Sequence, residues 1–395
     1  MKNKIIILSA IILTFTLVLI KPSFSDTKIN VYINDQLINF KTPPLIKGGK
    51  TLVPADELLK ALGAQVNTNG EGIFAKVNDI ELNLSEKTME KNGETVTLSA
   101  PMKNKKGKVF APIRDIAQAL DVTVLWDEKE KAVYLYHSAN EEVVVSSEEE
   151  LLSAIKSNTT VILDDKTYNL SKVKAKNTQN IRTNDVLDGQ ELILEGLINF
   201  SLIGKGNCEI VTEPRYAYVL KFINCKNINI SNIKIGHTNG GVCYGGVFSF
   251  SDSKDIKISN TKMYGCGTEG LSLKNVEGAK IQNSTIYKCT YYIANIENSY
   301  EISFENCTFY DNKEFSLVNI KNTKNLTIDN CAFKNNFAIP DREDIFEVIN
   351  SQNITVKNTQ FIENVANKLG GHGIINYQNN YFKNNKFSDG TGVGE

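Results

Sequence analysis

This chain of 395 residues contains few histidines and arginines, and its net charge is close to zero. Its three histidines, His137, His237 and His372, are widely separated in the sequence, so a copper site built from several histidine ligands is not expected. The formal net charge is -1, and such a composition provides neither the basic surface of a nucleic-acid-binding protein nor a polycationic membrane patch. After the apolar run near the N-terminus, no stretch is long enough to span a membrane.

The first 25 residues have the layout of a secretory signal peptide. Two lysines precede an apolar run from Ile5 to Ile20, and small residues follow at Ser23 and Ser25. This run is shorter than the roughly 20 residues of a spanning helix, although an uncleaved membrane anchor is the alternative. We expect cleavage near Ser25 and a secreted, extracellular protein, whose attachment to a cell surface would be non-covalent.

The sequence from residue 28 to residue 137 contains a doubled unit. GKTLVPADELLKALGAQV (49–66) and GKVFAPIRDIAQALDVTV (107–124) match at a constant offset of 58 residues. In each copy a short strand and a proline lead into a helix with apolar residues at helical spacing, and another strand follows. The second copy ends in VTVLWDEKEKAVYLYH, which is typical of a hairpin with a polar turn. The pattern predicts a small duplicated α+β domain.

This doubled unit resembles the copper-amine-oxidase N-terminal-like domain, a stalk module of secreted bacterial proteins. The resemblance covers essentially all of residues 28–137, because strand, LVP-type turn, helix and LWDEKEKAVYL hairpin occur in order. It implies a spacer or attachment role. It does not imply amine oxidase activity, since the few scattered histidines offer no copper ligands, and we expect no metal site and no cofactor in this domain.

A short helix and then a repeated pattern of strands and turns are predicted from residue 146 to residue 395. Ser147 precedes acidic residues and an apolar stripe at Leu151, Leu152 and Ile155, as in a capped amphipathic helix. Asparagine then recurs every 21 to 28 residues, at Asn232, Asn260, Asn283, Asn306, Asn330, Asn358 and Asn379, with apolar residues at fixed distances on either side. Such a period without further helices indicates a parallel β-solenoid. Residues one period apart then stack at about 4.8 Å, and turn asparagines can form amide ladders.

The repeat resembles the right-handed parallel β-helix superfamily that includes pectate lyases, with coils such as IGHTNGGVCYGGVFSFS and MYGCGTEGLSL. The resemblance covers residues 146–395 and implies that the helix near residue 150 is the N-terminal cap. The expected fold is therefore mainly β, a right-handed parallel β-helix preceded by the small duplicated α+β stalk domain.

Five of the seven cysteines fall into two columns of the repeat. Cys243, Cys266 and Cys289 are 23 residues apart, and Cys307 and Cys331 align with positions occupied elsewhere by serine or threonine. Interchange with small hydroxyl side chains indicates stacked, buried thiols. Disulfides between coils and a metal site are the alternatives.

Candidate functional residues are sought in the turn before the strand that contains the inward column Phe248, Leu271, Ala294, Val318 and Phe346. Four residues there are the candidate catalytic group of a carbohydrate-active enzyme: Glu269, Glu314, Asp344 and Arg342. Four others are candidate ligand-binding residues: Tyr244, Tyr291, Tyr292 and His237. A pair of carboxylates can act as acid and base, and calcium would be needed if the chemistry were that of a lyase. Tyrosine rings offer flat faces to sugars.

The acidic cluster and arginine motif of the lyases are missing, because none of the four arginines lies on a repeat strand. We therefore expect a β-helix, presented by the stalk, that binds a polysaccharide or another cell-envelope ligand without catalysis. The alternatives are a polysaccharide lyase or glycoside hydrolase acting at the rim of the β-helix, and a purely structural spacer. The sequence predicts no oligomeric state.

Overall fold

A computed structural model describes residues 28–34, 36–68, 72–105, 107–128, 130–136, 141–238, 244–265 and 269–390. The chain divides into two units that meet between residues 137 and 138, and each is described separately. The proposed signal peptide lies outside the described residues. In the part of the chain that the structure covers, no helix is both long and apolar enough to cross a membrane.

The N-terminal unit is built from the two copies of the doubled sequence. In the first copy, the strand Lys50–Pro54 runs into the helix Ala55–Ala61, and the second copy repeats this with Lys108–Pro112 and Ile113–Ala119. The two strands pair antiparallel, with Val53 opposite Ala111. Because these two residues are themselves equivalent in the repeat, the copies are related by an approximate local two-fold axis. The predicted strand, proline and helix of each copy are confirmed.

The strands of this unit form three sheets, of which two are antiparallel and one is mixed. The first sheet contains Leu45–Lys47, Lys50–Pro54, Lys108–Pro112 and Lys103–Lys105. The second contains Gln36–Leu37, Asn30–Ile33, Ala132–Tyr136 and Thr123–Asp127, and its strands Asn30–Ile33 and Ala132–Tyr136 are parallel. The third contains Gln65–Thr68, Ile73–Val77, Ile80–Leu84, Thr88–Lys91 and Glu94–Thr97. The predicted final hairpin is formed by Thr123–Asp127 and Ala132–Tyr136. The apolar faces of both helices, including Leu58, Leu59 and Ile116, are buried in one core.

In the second unit, the strand Glu141–Val145 is followed by the helix Glu148–Ala154, which closes one end of the solenoid. The Ser147 hydroxyl accepts a hydrogen bond from the Glu150 amide at 3.1 Å, so the predicted N-cap is confirmed. Leu151 and Ala154 are buried in the solenoid core. A 3₁₀ turn, Leu170–Lys172, follows.

The rest of the unit is a right-handed parallel β-helix of about eight turns, as predicted. Its coils contribute strands to sheets that we number 1 to 4. Sheet 1 contains Glu141–Val145, Thr159–Leu163, Ile198–Gly204, Lys226–Ser231, Lys254–Ser259, Glu277–Gln282, Tyr300–Glu305, Lys324–Asp329, Gln352–Lys357 and Ile375–Gln378. Sheet 2 contains Thr167–Asn169, Glu209–Thr212, Lys234–His237, Lys262–Tyr264, Thr285–Tyr287, Thr308–Tyr310, Ala332–Lys334, Gln360–Ile362 and Tyr381–Lys383.

Sheet 3 contains the hairpin Ile181–Val186 and Gly189–Glu195, followed by Leu220–Ile223, Phe248–Ser251, Glu269–Lys274, Tyr292–Glu297, Val318–Lys321 and Phe346–Ile349. The short sheet 4 contains Lys313–Glu314, Phe337–Ala338, Val365–Ala366 and Lys386–Phe387. The inward column of sheet 3 runs in register through Leu220, Phe248, Leu271, Ala294, Val318 and Phe346. This is the predicted column, extended by one residue at its start.

The predicted asparagine ladder stands at the corner between sheets 1 and 2. Asn306 donates to the Oδ1 of Asn283 at 3.2 Å, and Asn330 donates to the Oδ1 of Asn306 at 2.7 Å. All three have a positive φ between 48° and 54°, the left-handed conformation that asparagine tolerates. Stacking of residues one coil apart is therefore confirmed.

A second ladder, which was not predicted from the sequence, is buried between sheets 2 and 4. The Asn312, Asn336 and Asn364 amides each donate to the Oδ1 of the corresponding asparagine in the next coil, at 2.9–3.0 Å, with Asn385 the last acceptor. Each also donates to a backbone carbonyl of the preceding coil, at 2.9–3.0 Å. These amides satisfy buried polar groups that would otherwise be unpaired.

The described cysteine side chains also lie in the core of the β-helix. Cys208, Cys225, Cys307 and Cys331 are free and buried, and Cys289 is buried as well. The Cys307 amide lies 3.4 Å from the Sγ of Cys331. Stacking of Cys307 on Cys331 is confirmed. The other predicted column includes Cys243 and Cys266, which lie outside the described residues.

Candidate functional site

The outer face of sheet 3 carries a file of uncharged polar side chains. Ser249, Ser272, Asn295, Asn319 and then Glu347 are paired in register on successive coils. Because side chains alternate along a strand, these residues point away from the core while their neighbours Phe248 to Phe346 point inward. Four of these five side chains are uncharged, and Glu347 is the only acid among them.

A continuous set of hydrogen bonds runs along this face across several coils. Asn319 donates to the Oδ1 of Asn295 at 2.7 Å, and Asn295 donates to the Oε1 of Glu269 at 2.8 Å. The Tyr218 hydroxyl donates to the other oxygen of Glu269. We call this set, Tyr218, Glu269, Asn295 and Asn319, the amide–carboxylate row. The row fixes the positions of side chains that would otherwise be free to rotate.

Glycine on the intervening coil makes room for Tyr218. Tyr218, Gly246 and Glu269 occupy equivalent positions on three successive coils, each two residues before the inward column. A Cβ at Gly246 would lie 2.4 Å from the Tyr218 ring and 2.7 Å from the Glu269 carbonyl oxygen. The tyrosine therefore crosses the intervening coil at Gly246, where no side chain blocks it.

One end of the row is closed by a buried ion pair. The Lys221 ammonium lies 3.0 Å from Glu191 Oε2, and Glu191 Oε1 accepts the Tyr218 amide at 3.0 Å. Glu191 is buried, and Lys221 lies 5.8 Å from the centre of the Tyr218 ring. The positive charge on this part of the face is thus already neutralised by a carboxylate.

The tyrosines beside the row are protonated at neutral pH. Burial, followed by the charge of Glu269, raises the pKa of Tyr218 well above its usual value. Burial, followed by the charges of Glu347 and Glu269, raises the pKa of Tyr292 to about 12. A phenol with such a pKa is a hydrogen-bond donor at neutral pH and a poor general base.

The candidate catalytic residues other than Glu269 precede later strands of sheet 3: Arg342 and Asp344 lie in a loop, and Glu314 lies in a short strand of sheet 4. Asp344 accepts from the Asn367 amide at 3.0 Å, and Arg342 is exposed. Glu314 pairs through its backbone with Ala338 on the next coil. Among the described residues, no hydrogen bond or ion pair joins the side chains of Glu314, Arg342 and Asp344 to one another or to Glu269. The neighbouring Glu343, which was not a candidate, accepts from the Ser316 hydroxyl at 2.8 Å.

Aromatic side chains border the row in the loops that precede the strands of sheet 3. The Tyr244 ring is 69% exposed and lies 5.8 Å from the ring of Tyr216. Tyr291 stacks on Phe315 at 3.9 Å and meets Tyr292 edge to face at 5.9 Å. The three candidate ligand-binding tyrosines thus lie along the same border, with Tyr244 the most accessible.

His237 lies behind the face. It is 2% exposed, its Nε2 is 3.0 Å from the Ala217 carbonyl oxygen, and its Nδ1 has no hydrogen-bond partner among the described residues. Burial lowers its pKa. Its contact with the residue before Tyr218 supports the loop from which that tyrosine projects.

One residue of the row, Tyr218, could have been found from the sequence by one further step, together with Gly246 on the next coil. The inward column extends back to Leu220, and counting back two residues from each member leads to Tyr218 and Gly246 as well as Glu269. The hydrogen bonds of the row had no sequence signal. In the described ranges, no group of three or more histidine, cysteine, aspartate or glutamate side chains is arranged to hold a metal ion.

Comparison with known families identifies the first unit. Residues 32–135 match the family of the copper amine oxidase N-terminal domain, as the resemblance of the doubled unit implied. A match to this domain alone does not make the chain a copper amine oxidase. No curated protein matches the chain.

Solved structures similar to the chain include parallel β-helix proteins. ORF18 of Geobacillus virus E2 is 13% identical, with 66% of each chain covered and a TM-score of 0.37. A pectate lyase from Paenibacillus sp. 0602 is 10% identical over 57% of this chain and 71% of its own, with a TM-score of 0.40. PfbA, a surface adhesin of Streptococcus pneumoniae, is 12% identical over 62% and 80%, with a TM-score of 0.31. Similarity at this level transfers neither a ligand nor a reaction.

Proposed function

We propose that the outer face of sheet 3 binds a glycan chain without cleaving it, and that the protein acts outside the cell. The observation that carries the proposal is the amide–carboxylate row, which presents fixed amide and carboxylate groups over several coils. Asn295, which is half-buried, donates once within the row and keeps a second N–H for a ligand. Sugar hydroxyls are suited to such donors and acceptors, and Tyr244 offers an exposed aromatic surface at the border.

Binding is favoured over catalysis because the charged groups have structural partners. Glu269 holds Tyr218 and Asn295, Glu191 holds Lys221, and Glu343 holds Ser316. A catalytic acid or base must instead be available to the substrate. The tyrosines cannot replace these carboxylates as bases, since the pKa of both Tyr218 and Tyr292 is raised.

The charge of the face favours a neutral glycan. Glu191, Glu269 and Glu347 lie along it, with Glu343 and Asp344 in the adjoining loop, whereas Lys221 is already paired. A uronate chain would bring its carboxylates close to these acids, which is unfavourable at short range. We therefore expect neutral sugars or N-acetyl sugars as ligands of this face.

A panel experiment tests binding and catalysis together. The protein without residues 1–25 is incubated with cellohexaose, chitohexaose and hexagalacturonate, with and without calcium. The expected result is saturable binding of a neutral hexasaccharide, with no new reducing ends and no absorbance from unsaturated products. Products that are lost in Glu269→Gln would establish the enzyme instead. Absence of binding to all three would favour a structural spacer.

Secretion is part of the proposal and has its own measurement. The expected signal peptide predicts that protein recovered from the culture medium of an expressing bacterium starts near Asp26. N-terminal sequencing of that protein, or its intact mass, checks this. Retention of the full-length chain in the membrane fraction would instead support an uncleaved anchor.

A further inference from the structure

The N-terminal unit contains two clefts that its duplication relates to each other. One, of about 470 Å³, is lined by Asp56, Thr68 and Lys108 among others. The second, of about 510 Å³, is lined by Arg114, Trp126 and Lys50 at the positions 58 residues away. Because the strands Lys50–Pro54 and Lys108–Pro112 pair about the local two-fold axis, the clefts occupy equivalent places.

The two clefts share their backbone construction. The Glu57 carboxylate accepts the Lys41 amide at 2.7 Å, and the Asp115 carboxylate accepts the Ser99 amide at 2.6 Å. The two acceptors, Glu57 and Asp115, are 58 residues apart, and so are the two donors, Lys41 and Ser99. The same acid therefore holds the same loop in each copy, and the differences between the clefts lie in their other side chains.

The first cleft neutralises its own charge. The Lys108 ammonium lies 3.2 Å from Asp56 and 3.4 Å from Glu57. The Lys108 ammonium is therefore already paired with carboxylates of the protein and is not left to bind an anionic ligand.

In the second cleft the aspartate of this ion pair is replaced by Arg114. Lys50, the equivalent of Lys108, therefore shares its cleft with a second cation, and no described carboxylate lies within ion-pair distance of either one. The acids that line this cleft are engaged elsewhere. Asp115 holds the Ser99 amide, while Glu128 accepts from the Trp126 indole at 2.7 Å and pairs with Lys131.

The indole provides an apolar surface beside these cations. Trp126 is half-buried, and its bond to Glu128 fixes the ring. The Ile46 side chain is 48% exposed in the same cleft. A ligand that fits has an apolar face for the indole and an anionic group for Lys50 and Arg114.

We propose that this second cleft binds an acidic saccharide that carries carboxylates. A pyranose ring packs its C–H face on an indole, and a carboxylate at the edge of that ring would reach the two cations. Arginine binds carboxylates through two parallel hydrogen bonds. The N-terminal unit would then be a binding module for acidic glycans, separate from the face of sheet 3, rather than a passive spacer.

Fluorescence gives a readout confined to this cleft, because Trp126 is the only tryptophan in the chain. The protein without residues 1–25 is titrated with trigalacturonate, with neutral β-1,4-galactotriose and with hexaglutamate. We expect a saturable change with trigalacturonate that weakens as salt is added, and none with galactotriose. Equal or tighter binding of hexaglutamate would show that the site recognises acidic peptides and overturn the saccharide assignment. Absence of a change with trigalacturonate, or an equal response to galactotriose, would overturn the site.

Variants use the other cleft as an internal control. Arg114→Asp recreates the acid that pairs with lysine in the first cleft, and it should weaken trigalacturonate binding at least tenfold without lowering the melting temperature. Lys50→Gln should also weaken binding, whereas Lys108→Gln, at the equivalent lysine, should leave the affinity unchanged. Unchanged affinity in both Arg114→Asp and Lys50→Gln would contradict the assignment of the cations.

Discussion

Tyr218 lies across Gly246 and donates its hydroxyl hydrogen to Glu269, two coils further along the β-helix. This relationship ties the start of the amide–carboxylate row to its centre. It depends on the absence of a side chain on the coil between them.

Gly246→Val should therefore destabilise the protein through overpacking, by about 1–3 kcal/mol. The added atoms would meet the Tyr218 ring and the Glu269 carbonyl oxygen. Urea denaturation measures the loss. In a Tyr218→Ala background the same substitution should cost less, since the ring is gone. An equal cost in both backgrounds would mean that the ring is not what excludes a side chain at this position.

The buried asparagine ladder should contribute more to stability than the exposed one. Asn336→Ala removes a donor to the Phe309 carbonyl and breaks the amide bonds to both neighbouring coils. Each buried group left unpaired costs about 1–3 kcal/mol, so we expect the free energy of unfolding to fall by about 3 kcal/mol or more.

Asn330→Gly is the matched control in the exposed ladder, because glycine adopts the same left-handed backbone. It should cost less than about 1 kcal/mol. Chemical denaturation of both variants gives the comparison. Similar losses for the two substitutions would show that burial of the amide is unimportant.

The period and composition of the sequence were enough to predict most of the β-helix. Asn283 and Asn306 repeat because stacking imposes the same turn on every coil, so their contact could be predicted from spacing. Asn295 and Asn319 follow by the same reasoning, because each comes one residue after a member of the inward column. Pairing of Tyr218 with Glu269 could not be predicted, because a side chain that reaches over one coil leaves no periodic signal. The Asn312 ladder was missed because its members repeat only in the later coils.

Stability should fall as the pH drops below the usual pKa of histidine, about 6.5. Burial lowers the pKa of His237, so the unfolded chain takes up a proton at this residue more readily than the folded chain. The stabilising contribution is therefore complete above that pH and is lost as the pH falls toward the lowered value. The hydrogen bond to the Ala217 carbonyl and the charge of Asp188 oppose this shift of the His237 pKa only in part.

Melting temperatures between pH 5 and pH 8 check this prediction. His237→Gln should flatten the fall on the acidic side, whereas His372→Gln, at an exposed histidine, should leave it unchanged. A pH profile that neither substitution alters would assign the dependence to other groups.

The buried thiols should react slowly in the folded protein. Burial raises the pKa of Cys225 to about 12 and that of Cys208 to about 11, so little of the reactive thiolate forms at neutral pH. Peptide mapping after brief treatment with iodoacetamide should find these two cysteines unmodified until urea is added. Rapid labelling of either one in the native protein, or its recovery in a disulfide-linked peptide, would contradict the structure.

The most direct test of the proposed function is calorimetric titration of the neutral hexasaccharide that binds in the panel. Asn295→Ala and Tyr244→Ala should each weaken binding about tenfold or more, as expected for losing about 1.4 kcal/mol of interaction. Tyr381→Ala, which removes an exposed tyrosine from sheet 2, should leave the affinity unchanged. Equal affinity in wild type, Asn295→Ala and Tyr244→Ala would contradict a binding face on sheet 3.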